Sequence, residues 1–243
     1  MNEAKKCLHF FASERRNGDL LVANRRDSLT DLNPDTIFML IFIYMNKIKD
    51  IYWITVLFLL PILLLYTGVI PMEYLRFVLF AFVLVTVWLV RREHWSLREL
   101  GIRKDNLVKL IPAYAIFTAI GVIVIILAAK VMGIGTIDNW AGSSHLLFWF
   151  IPISVAQEFI FRGYYLTKLK SVYKSPIMAI SLNVVVFAVM HIIYPNPLFT
   201  LLVGAISGLG FAMIYYYKPN LILISISHTI LNFVAVYYCF FGQ

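Results

Sequence analysis

Residues 108–130, VKLIPAYAIFTAIGVIVIILAAK, form an apolar run in which only the lysines near its two ends are charged. A helix needs about 20 apolar residues to cross the hydrocarbon core of a bilayer, so this run is long enough to span one. Of the 243 residues in the chain, 61% are hydrophobic and 14% are charged, whereas soluble domains average about 45–50% and about 25%. A membrane β-barrel would alternate apolar and polar residues, which these continuous runs do not. We therefore predict an all-α, polytopic membrane helical bundle.

Further apolar runs lie on both sides of this one, and together they predict about seven transmembrane spans. The predicted spans are residues 51–70, 74–90, 108–130, 144–167, 176–194, 197–217 and 220–240. We expect residues 1–50 to form a polar N-terminal tail and an interfacial segment, because the apolar run 37–44 is too short to span a bilayer. Met45 opens the run MNKIKDIYWITV, which is typical of the beginning of a bacterial membrane protein, so either Met1 or Met45 could be the natural start.

Most basic residues of the second part of the chain are concentrated in alternate loops between the spans. These residues are Lys47, Lys49, Arg91, Arg92, Arg98, Arg103, Lys104, Lys168, Lys170, Lys174 and Lys218. Loops rich in lysine and arginine remain in the cytoplasm, which predicts a multi-pass protein of the cell membrane with a cytoplasmic N-terminus. The formal net charge of +8 therefore reflects orientation in the lipid bilayer, and we predict no nucleic-acid partner. Residues 91–104 are amphipathic and are expected to lie along the cytoplasmic interface.

Three polar motifs interrupt the apolar spans. Residues 157–163 read QEFIFRG, residues 187–191 read FAVMH, and residues 228–232 read HTILN. A charged side chain at the centre of a bilayer costs at least about 2.5–3.5 kcal/mol, so such residues usually have a function. Each motif has two residues four positions apart, which lie one helical turn apart on the same face. These pairs are Glu158 and Arg162, Phe187 and His191, and His228 and Asn232. We expect these faces to converge in a polar pocket, with Glu158 and His228 roughly 12–15 Å deep in the membrane.

The residue types in these motifs are suited to the activation of water. A glutamate in a pocket of low dielectric constant holds a proton more tightly than in water, so Glu158 could serve as a general base or acid. A histidine could share that role, and a second histidine with Asn232 could donate hydrogen bonds to an oxyanion. Arg162 would hold Glu158 in place and offset its charge.

The three motifs, in this order and on separate spans, resemble those of the CAAX-protease and bacteriocin-processing family, which includes the type II CAAX prenyl endopeptidases. QEFIFRG is similar to the EExxxR-G motif, FAVMH to FxxxH, and HTILN to HxxxN. The resemblance implies an intramembrane glutamic-type protease in residues 51–243, acting on a membrane-associated or C-terminal-signal-bearing protein or peptide. It further implies that Glu158 and His191 activate the water, and that His228 and Asn232 form the oxyanion site.

One position departs from the family pattern. The first acid of the EE pair, which is often given the role of base, is Gln157 here, and an amide cannot accept a proton in that way. Either Glu158 acts as the base, or the chain is an inactive member of the family that serves as a membrane scaffold or bacteriocin-immunity protein. A proton-coupled transporter is a further alternative, although no internal repeat of the kind found in transporters is visible.

Cofactors are not expected from the sequence. Glu158, His191 and His228 form a set of two histidines and one carboxylate that could in principle bind zinc, but no HExxH motif is present. The two cysteines, Cys7 and Cys239, lie near opposite ends of the chain and have no metal-binding spacing. We therefore predict a site without metal or cofactor.

Overall fold

The computed structural model describes residues 34–137 and 144–240, and these residues form helices, turns and loops without a β-strand. The chain divides between Ile43 and Tyr44 into two compact units. In the first unit, residues 34–43 are helical, and Phe38 and Phe42 are exposed. Residues 1–33, which include Cys7 and most of the predicted polar tail, lie outside the described residues. The interfacial placement of that segment stays a prediction.

The helices follow the predicted spans closely. They are α1 (Pro34–Tyr66), α2 (Leu75–Arg92), α3 (Leu107–Met132), α4 (Ser144–Glu158), α5 (Thr167–Val172), α6 (Pro176–Val189), α7 (Pro197–Tyr217) and α8 (Leu221–Tyr237). A 3₁₀ turn, Met72–Tyr74, precedes α2, and a π-helical segment, Phe159–Leu166, joins α4 to α5 without a break. The all-helical character predicted from the sequence is confirmed for the described residues.

Four helical stretches in the described part of the chain are long and apolar enough to cross a membrane. They are Ile41–Tyr66, Met72–Arg92, Leu107–Met132 and Pro197–Tyr217. The helices α6 and α8 are apolar but shorter. Exposed apolar side chains such as Phe77, Trp88 and Val131 cover the outside of the bundle, as expected where lipid replaces water as the solvent. The chain is thus a membrane protein, whereas the total of seven spans stays a prediction.

Two helix boundaries differ from the predicted spans. The helix α1 begins at Pro34 rather than near residue 51, so the apolar run 37–44 is continuous with the first span. No proline or glycine separates the two runs, and a few polar residues between them are compatible with a helix. At the other boundary, α6 ends at Val189. The following residues form turns that lead to Pro195 and to Pro197, the first residue of α7. Proline lacks a backbone N–H group and disfavours a helical conformation of the residue before it, so these prolines favour a break between α6 and α7.

The π-helical segment lies at the centre of the helical core. Its residues from Ile160 to Leu166 are buried, and α2, α6, α7 and α8 contact it. Phe58 of α1 is fully buried and packs against the rings of Phe161 and Tyr165. The segment that contains most of the first polar motif is therefore surrounded by residues of α1, α2, α6, α7 and α8.

Residues 93–106, which we call the connector, join α2 to α3. The connector forms a series of turns, with positive φ angles at His94 (57°) and Gly101 (75°). Its Leu100 side chain is only 2% exposed. The connector therefore joins the ends of α2 and α3 and also packs against the helical core.

Candidate active site

Glu158 is the last residue of α4, and Arg162 lies in the π-helical segment that follows. In a π-helix each N–H group bonds to the carbonyl five residues earlier, which widens the turn, and such turns are frequent at functional sites. Two side chains bond to carbonyls of this wide turn. The Asn183 amide donates to the Phe161 carbonyl at 2.8 Å, and the Thr167 hydroxyl donates to the Arg162 carbonyl at 3.2 Å.

Glu158 binds both Arg162 and His228. The Arg162 Nη1 atom lies 3.1 Å from Glu158 Oε1, and the His228 Nδ1 atom lies 2.6 Å from the same oxygen. Glu158 and Arg162 are completely buried, and His228 is 4% exposed. The first and third motifs thus meet in one buried cluster of a carboxylate, a guanidinium and an imidazole.

Aromatic rings enclose the cationic side of this cluster. The Arg162 guanidinium carbon lies 4.0 Å from the centre of the Phe187 ring and 5.2 Å from that of Phe211. Phe211 also packs against His228, with 4.6 Å between ring centres. Arg162 Nη2 donates to the Gly208 carbonyl at 3.3 Å. These contacts exclude water from the ion pair, so its attraction is screened less than that of a surface pair.

A second polar contact joins the same two helices one turn away. The Asn232 amide donates to the Ser154 hydroxyl at 3.0 Å, and Ser154 in turn donates to the Phe150 carbonyl at 2.7 Å. Ser154 precedes Glu158 by four residues, and Asn232 follows His228 by four. Helices α4 and α8 are therefore antiparallel here and are connected by two polar contacts one turn apart.

His191 lies just beyond the end of α6, in the first turn after Val189. Its Nδ1 atom is 2.8 Å from the Phe187 carbonyl. A carbonyl oxygen only accepts hydrogen bonds, so Nδ1 carries the hydrogen and Nε2 keeps a lone pair. The Thr200 hydroxyl donates to the His191 carbonyl at 2.8 Å and fixes the backbone at this point.

The structure places His191 beside the Glu158 cluster rather than within it. The Phe187 ring contacts both histidines, with its centre 4.8 Å from the His191 ring and 6.2 Å from the His228 ring. Within the described residues, no direct hydrogen bond joins His191 to Glu158, Arg162 or His228. Of the five residues proposed from the sequence, Glu158, Arg162 and His228 form the cluster. Asn232 binds Ser154 of α4, one turn away from Glu158. His191 is linked to the cluster through the Phe187 ring.

Gln157 faces a different environment from Glu158, since adjacent residues on a helix point about 100° apart. Gln157 is half-buried and lines a cavity of about 590 Å³ between α1, α2, α4 and the turns after α6. Nearly all other residues lining this cavity are apolar; Arg76 and Tyr194 are the other polar ones. The departure from the family motif therefore lies in the wall of the cavity, whereas Glu158 lies in the protein interior.

Several polar atoms near the site are buried without a hydrogen-bond partner. Among the described residues these include Glu158 Oε2, Arg162 Nε and Asn183 Oδ1. Buried polar groups in proteins are nearly always paired, so unpaired ones often indicate bound water or a catalytic role. Asn183 was recognisable in the sequence as the one amide side chain in α6, and Ser154 as a small polar residue one turn before Glu158. Neither could be assigned a partner from spacing alone.

No group of three or more metal-ligating side chains is placed together in the part of the chain that the structure describes. Glu158 and His228 are in contact, but His191 does not join them. The absence of a metal stays a prediction.

Gly204 permits the close approach of α7 to His191. A Cβ atom at this position would lie 2.9 Å from His191 Nδ1 and 3.2 Å from the Ala188 Cα atom. We expect Gly204→Ala to displace the imidazole and to cost about 1–3 kcal/mol, as overpacking typically does. Thermal unfolding of the purified variant in detergent measures this cost. Gly135→Ala is the control, because a Cβ atom there would meet open space; equal melting temperatures for the two variants would contradict the prediction.

Residues 139–234 match the family described as type II CAAX prenyl endopeptidase Rce1-like. The matched region contains all three polar motifs. No curated protein and no solved structure matches the chain. Residues 139–234 are therefore similar to the type II CAAX prenyl endopeptidases, which supports the family resemblance drawn from the three motifs.

Proposed function

We propose that the chain is an intramembrane endopeptidase that hydrolyses a peptide bond near the membrane in a membrane-associated or C-terminal-signal-bearing protein. The buried contact between Glu158 and His228, with Arg162 on the same carboxylate oxygen, is the observation that carries this proposal. Removing three ionisable groups from water costs several kcal/mol per ion, and apolar residues would pack a membrane helix without that cost. A cluster so costly to bury favours a chemical role.

In this proposal the attacking water loses its proton to a base in or next to the Glu158 cluster. Glu158 Oε2 has no hydrogen-bond partner among the described residues and can accept that proton. His191 Nε2 offers a second acceptor, because Nδ1 is held by the Phe187 carbonyl. The resulting hydroxide forms a bond to the carbonyl carbon of the substrate. The proton then passes to the leaving nitrogen as the C–N bond breaks.

His228 and Asn232 would stabilise the oxyanion that forms on the substrate. A protonated His228 donates from Nδ1 to Glu158 and retains an N–H group on Nε2 for the substrate. The Asn232 amide carries two hydrogens, of which one binds Ser154. The two helical contacts between α4 and α8 would hold both donors before the substrate arrives, and such preorganised donors are the main source of electrostatic catalysis.

Gln157 favours a second candidate, an inactive family member that acts as a membrane scaffold or immunity protein. The residue in the cavity wall is an amide that cannot accept a proton, and Glu158 beside it has no exposed surface. If substrates bind in that cavity, no carboxylate of the first motif faces them directly. The two candidates differ in whether the purified chain cleaves any peptide.

The variant Gln157→Glu distinguishes the two candidates. Because a carboxylate in the cavity wall adds a general base, we expect cleavage to rise by about tenfold or more, and by at most the 10²–10⁴-fold that a positioned general base contributes. The measurement uses purified protein in detergent with fluorogenic peptides derived from membrane proteins and with prenylated peptides. Gln157→Ala is the control and should produce no increase. If Gln157→Glu cleaves a peptide and the wild-type protein does not, the wild-type chain is an inactive family member.

We also propose seven spans with a cytoplasmic N-terminus in the cell membrane. The proposal is supported by the basic residues of the connector and of residues 168–174, which follow the second and the fourth predicted spans. In a cysteine-free background, a membrane-impermeant thiol reagent added outside should label Met72→Cys and leave Lys104→Cys unlabelled. The reverse pattern would invert the topology.

A further inference from the structure

The connector, residues 93–106, contacts both of the helices that contribute to the Glu158 cluster. On the first of them, the Glu93 carboxylate accepts a hydrogen bond from Tyr164 at 3.0 Å and forms an ion pair with Lys168 at 2.7 Å. Tyr164 belongs to the π-helical segment, and Lys168 lies one turn further along. The Trp95 ring also packs against Tyr164, with 5.2 Å between ring centres.

The connector backbone also touches the glycine of the first motif. A Cβ atom at Gly163 would lie 3.3 Å from the Leu100 carbonyl oxygen, which is tighter than most such contacts. The same carbonyl accepts a hydrogen bond from Tyr215 of α7 at 2.8 Å. Glycine at position 163 therefore allows the connector to approach the helix immediately after Arg162.

The other end of the connector binds the beginning of α8. The Leu221 amide donates to the Gly101 carbonyl at 2.7 Å. Asn220, which is completely buried, donates to the Arg103 carbonyl at 3.0 Å and to Asn106 Oδ1 at 2.8 Å. The Asn220 side chain also caps α8 by accepting from the Leu223 amide at 3.1 Å. The helix that carries His228 is thus fixed to the connector at its first turn.

The Glu93 pair differs from the other ion pairs of the connector in its burial. The side chains of Lys168 and Glu93 are 10% and 22% exposed, whereas those of Arg98 and Asp105 are 74% and 51% exposed. Exposed pairs contribute little because water and salt screen them. The Glu93 pair is shielded from water and is reinforced by Tyr164, so it can determine how the connector sits on the helix.

We propose that the connector sets the separation of the first-motif and third-motif helices at their cytoplasmic ends, with Glu93 as a positioning residue for the contact between Glu158 and His228. The effect of the connector on catalysis rests on the proposed protease function, whereas its effect on the contact between Glu158 and His228 does not. Glu93 touches no reacting group. It acts through Tyr164 and Lys168 on the segment that holds Arg162. The Gly101 carbonyl and the contacts of Asn220 with the connector hold the beginning of α8.

The test compares Glu93→Gln with Arg98→Gln, which removes one charge of the exposed pair in the same connector. The readout is the ¹⁵N signal of the His228 imidazole in protein labelled at its five histidines, assigned by its loss in His228→Gln. We expect Glu93→Gln to shift this signal and Arg98→Gln to leave it in place. The double variant Glu93→Lys with Lys168→Glu reverses the pair and should restore the signal.

Cleavage assays give a second readout. Since small misplacements of catalytic groups lower rates strongly, kcat should fall by about tenfold or more in Glu93→Gln with KM little changed. The reversed pair should recover kcat. An unshifted His228 signal in Glu93→Gln would overturn the proposal. If wild-type protein cleaves no peptide, the proposed function fails, and the His228 signal still decides the role of the connector.

Discussion

Replacement of Glu158 by glutamine is expected to lower kcat by about 10²–10⁴-fold, the range that a positioned general base contributes. Glutamine has nearly the same shape, so the contact with His228 can persist as a neutral hydrogen bond. The variant loses the negative charge beside His228, and it loses the only carboxylate of the first motif. Water activation and oxyanion stabilisation are therefore both weakened by one substitution.

Single-turnover cleavage by Glu158→Gln in detergent measures the effect separately from substrate binding. The reference variant is Gln157→Asn, which shortens an amide in the cavity wall without changing charge, and we expect its kcat to stay within a few-fold of wild type. Size-exclusion profiles of both variants show whether the fold is retained. A well-folded Glu158→Gln protein with the wild-type rate would remove Glu158 from the mechanism and leave His191 as the base.

Continuity of apolar residues was sufficient to predict most of the helices of the second unit. Residues 108–130 and 197–217 differ from α3 and α7 by at most a few residues. The proximity of Glu158 and His228 could also be predicted from the sequence. Both residues lie at similar depth in their spans, and helical spacing gives each motif one polar face. These predictions need only the hydrophobic thickness of a membrane and the geometry of a helix.

The details of the site depend on features that such patterns do not contain. A π-helical turn replaces one set of backbone hydrogen bonds by another, and the apolar composition of FIFRGYYL is compatible with both. His191 was assigned to a span, whereas the turns before Pro195 and Pro197 end α6 at Val189. The contacts of the connector with Gly163 and Leu221 join residues far apart in the sequence, and only the folded chain brings them together.

The orientation of Gln157 is another feature that the sequence pattern does not contain. The sequence shows that an amide replaces an acid, but it does not show which neighbours each side chain meets. The structure separates the two positions, with Gln157 at the cavity and Glu158 against Arg162 and His228. The question of activity therefore concerns how a substrate reaches Glu158, as well as which residue accepts the proton.

Replacement of Arg162 by methionine is expected to destabilise the protein by about 3–5 kcal/mol, because breaking a buried ion pair leaves an uncompensated charge. Glu158 would remain completely buried without its guanidinium partner. Methionine has a similar length and can still pack between Phe187 and Phe211, so little of the loss should come from a cavity. Thermal or denaturant unfolding in detergent gives the change in free energy.

The double variant Glu158→Gln with Arg162→Met shows whether the loss comes from the charge. Removing both members of a buried pair is often nearly neutral, so we expect the double variant to be more stable than Arg162→Met alone. The double-mutant cycle should give a coupling energy of about 1–3 kcal/mol, as for residues in direct contact. Additive effects would mean that Arg162 stabilises the fold through its contacts with Phe187 and the Gly208 carbonyl rather than through Glu158. The pair would then no longer support the proposal that Arg162 holds the Glu158 carboxylate in position for catalysis.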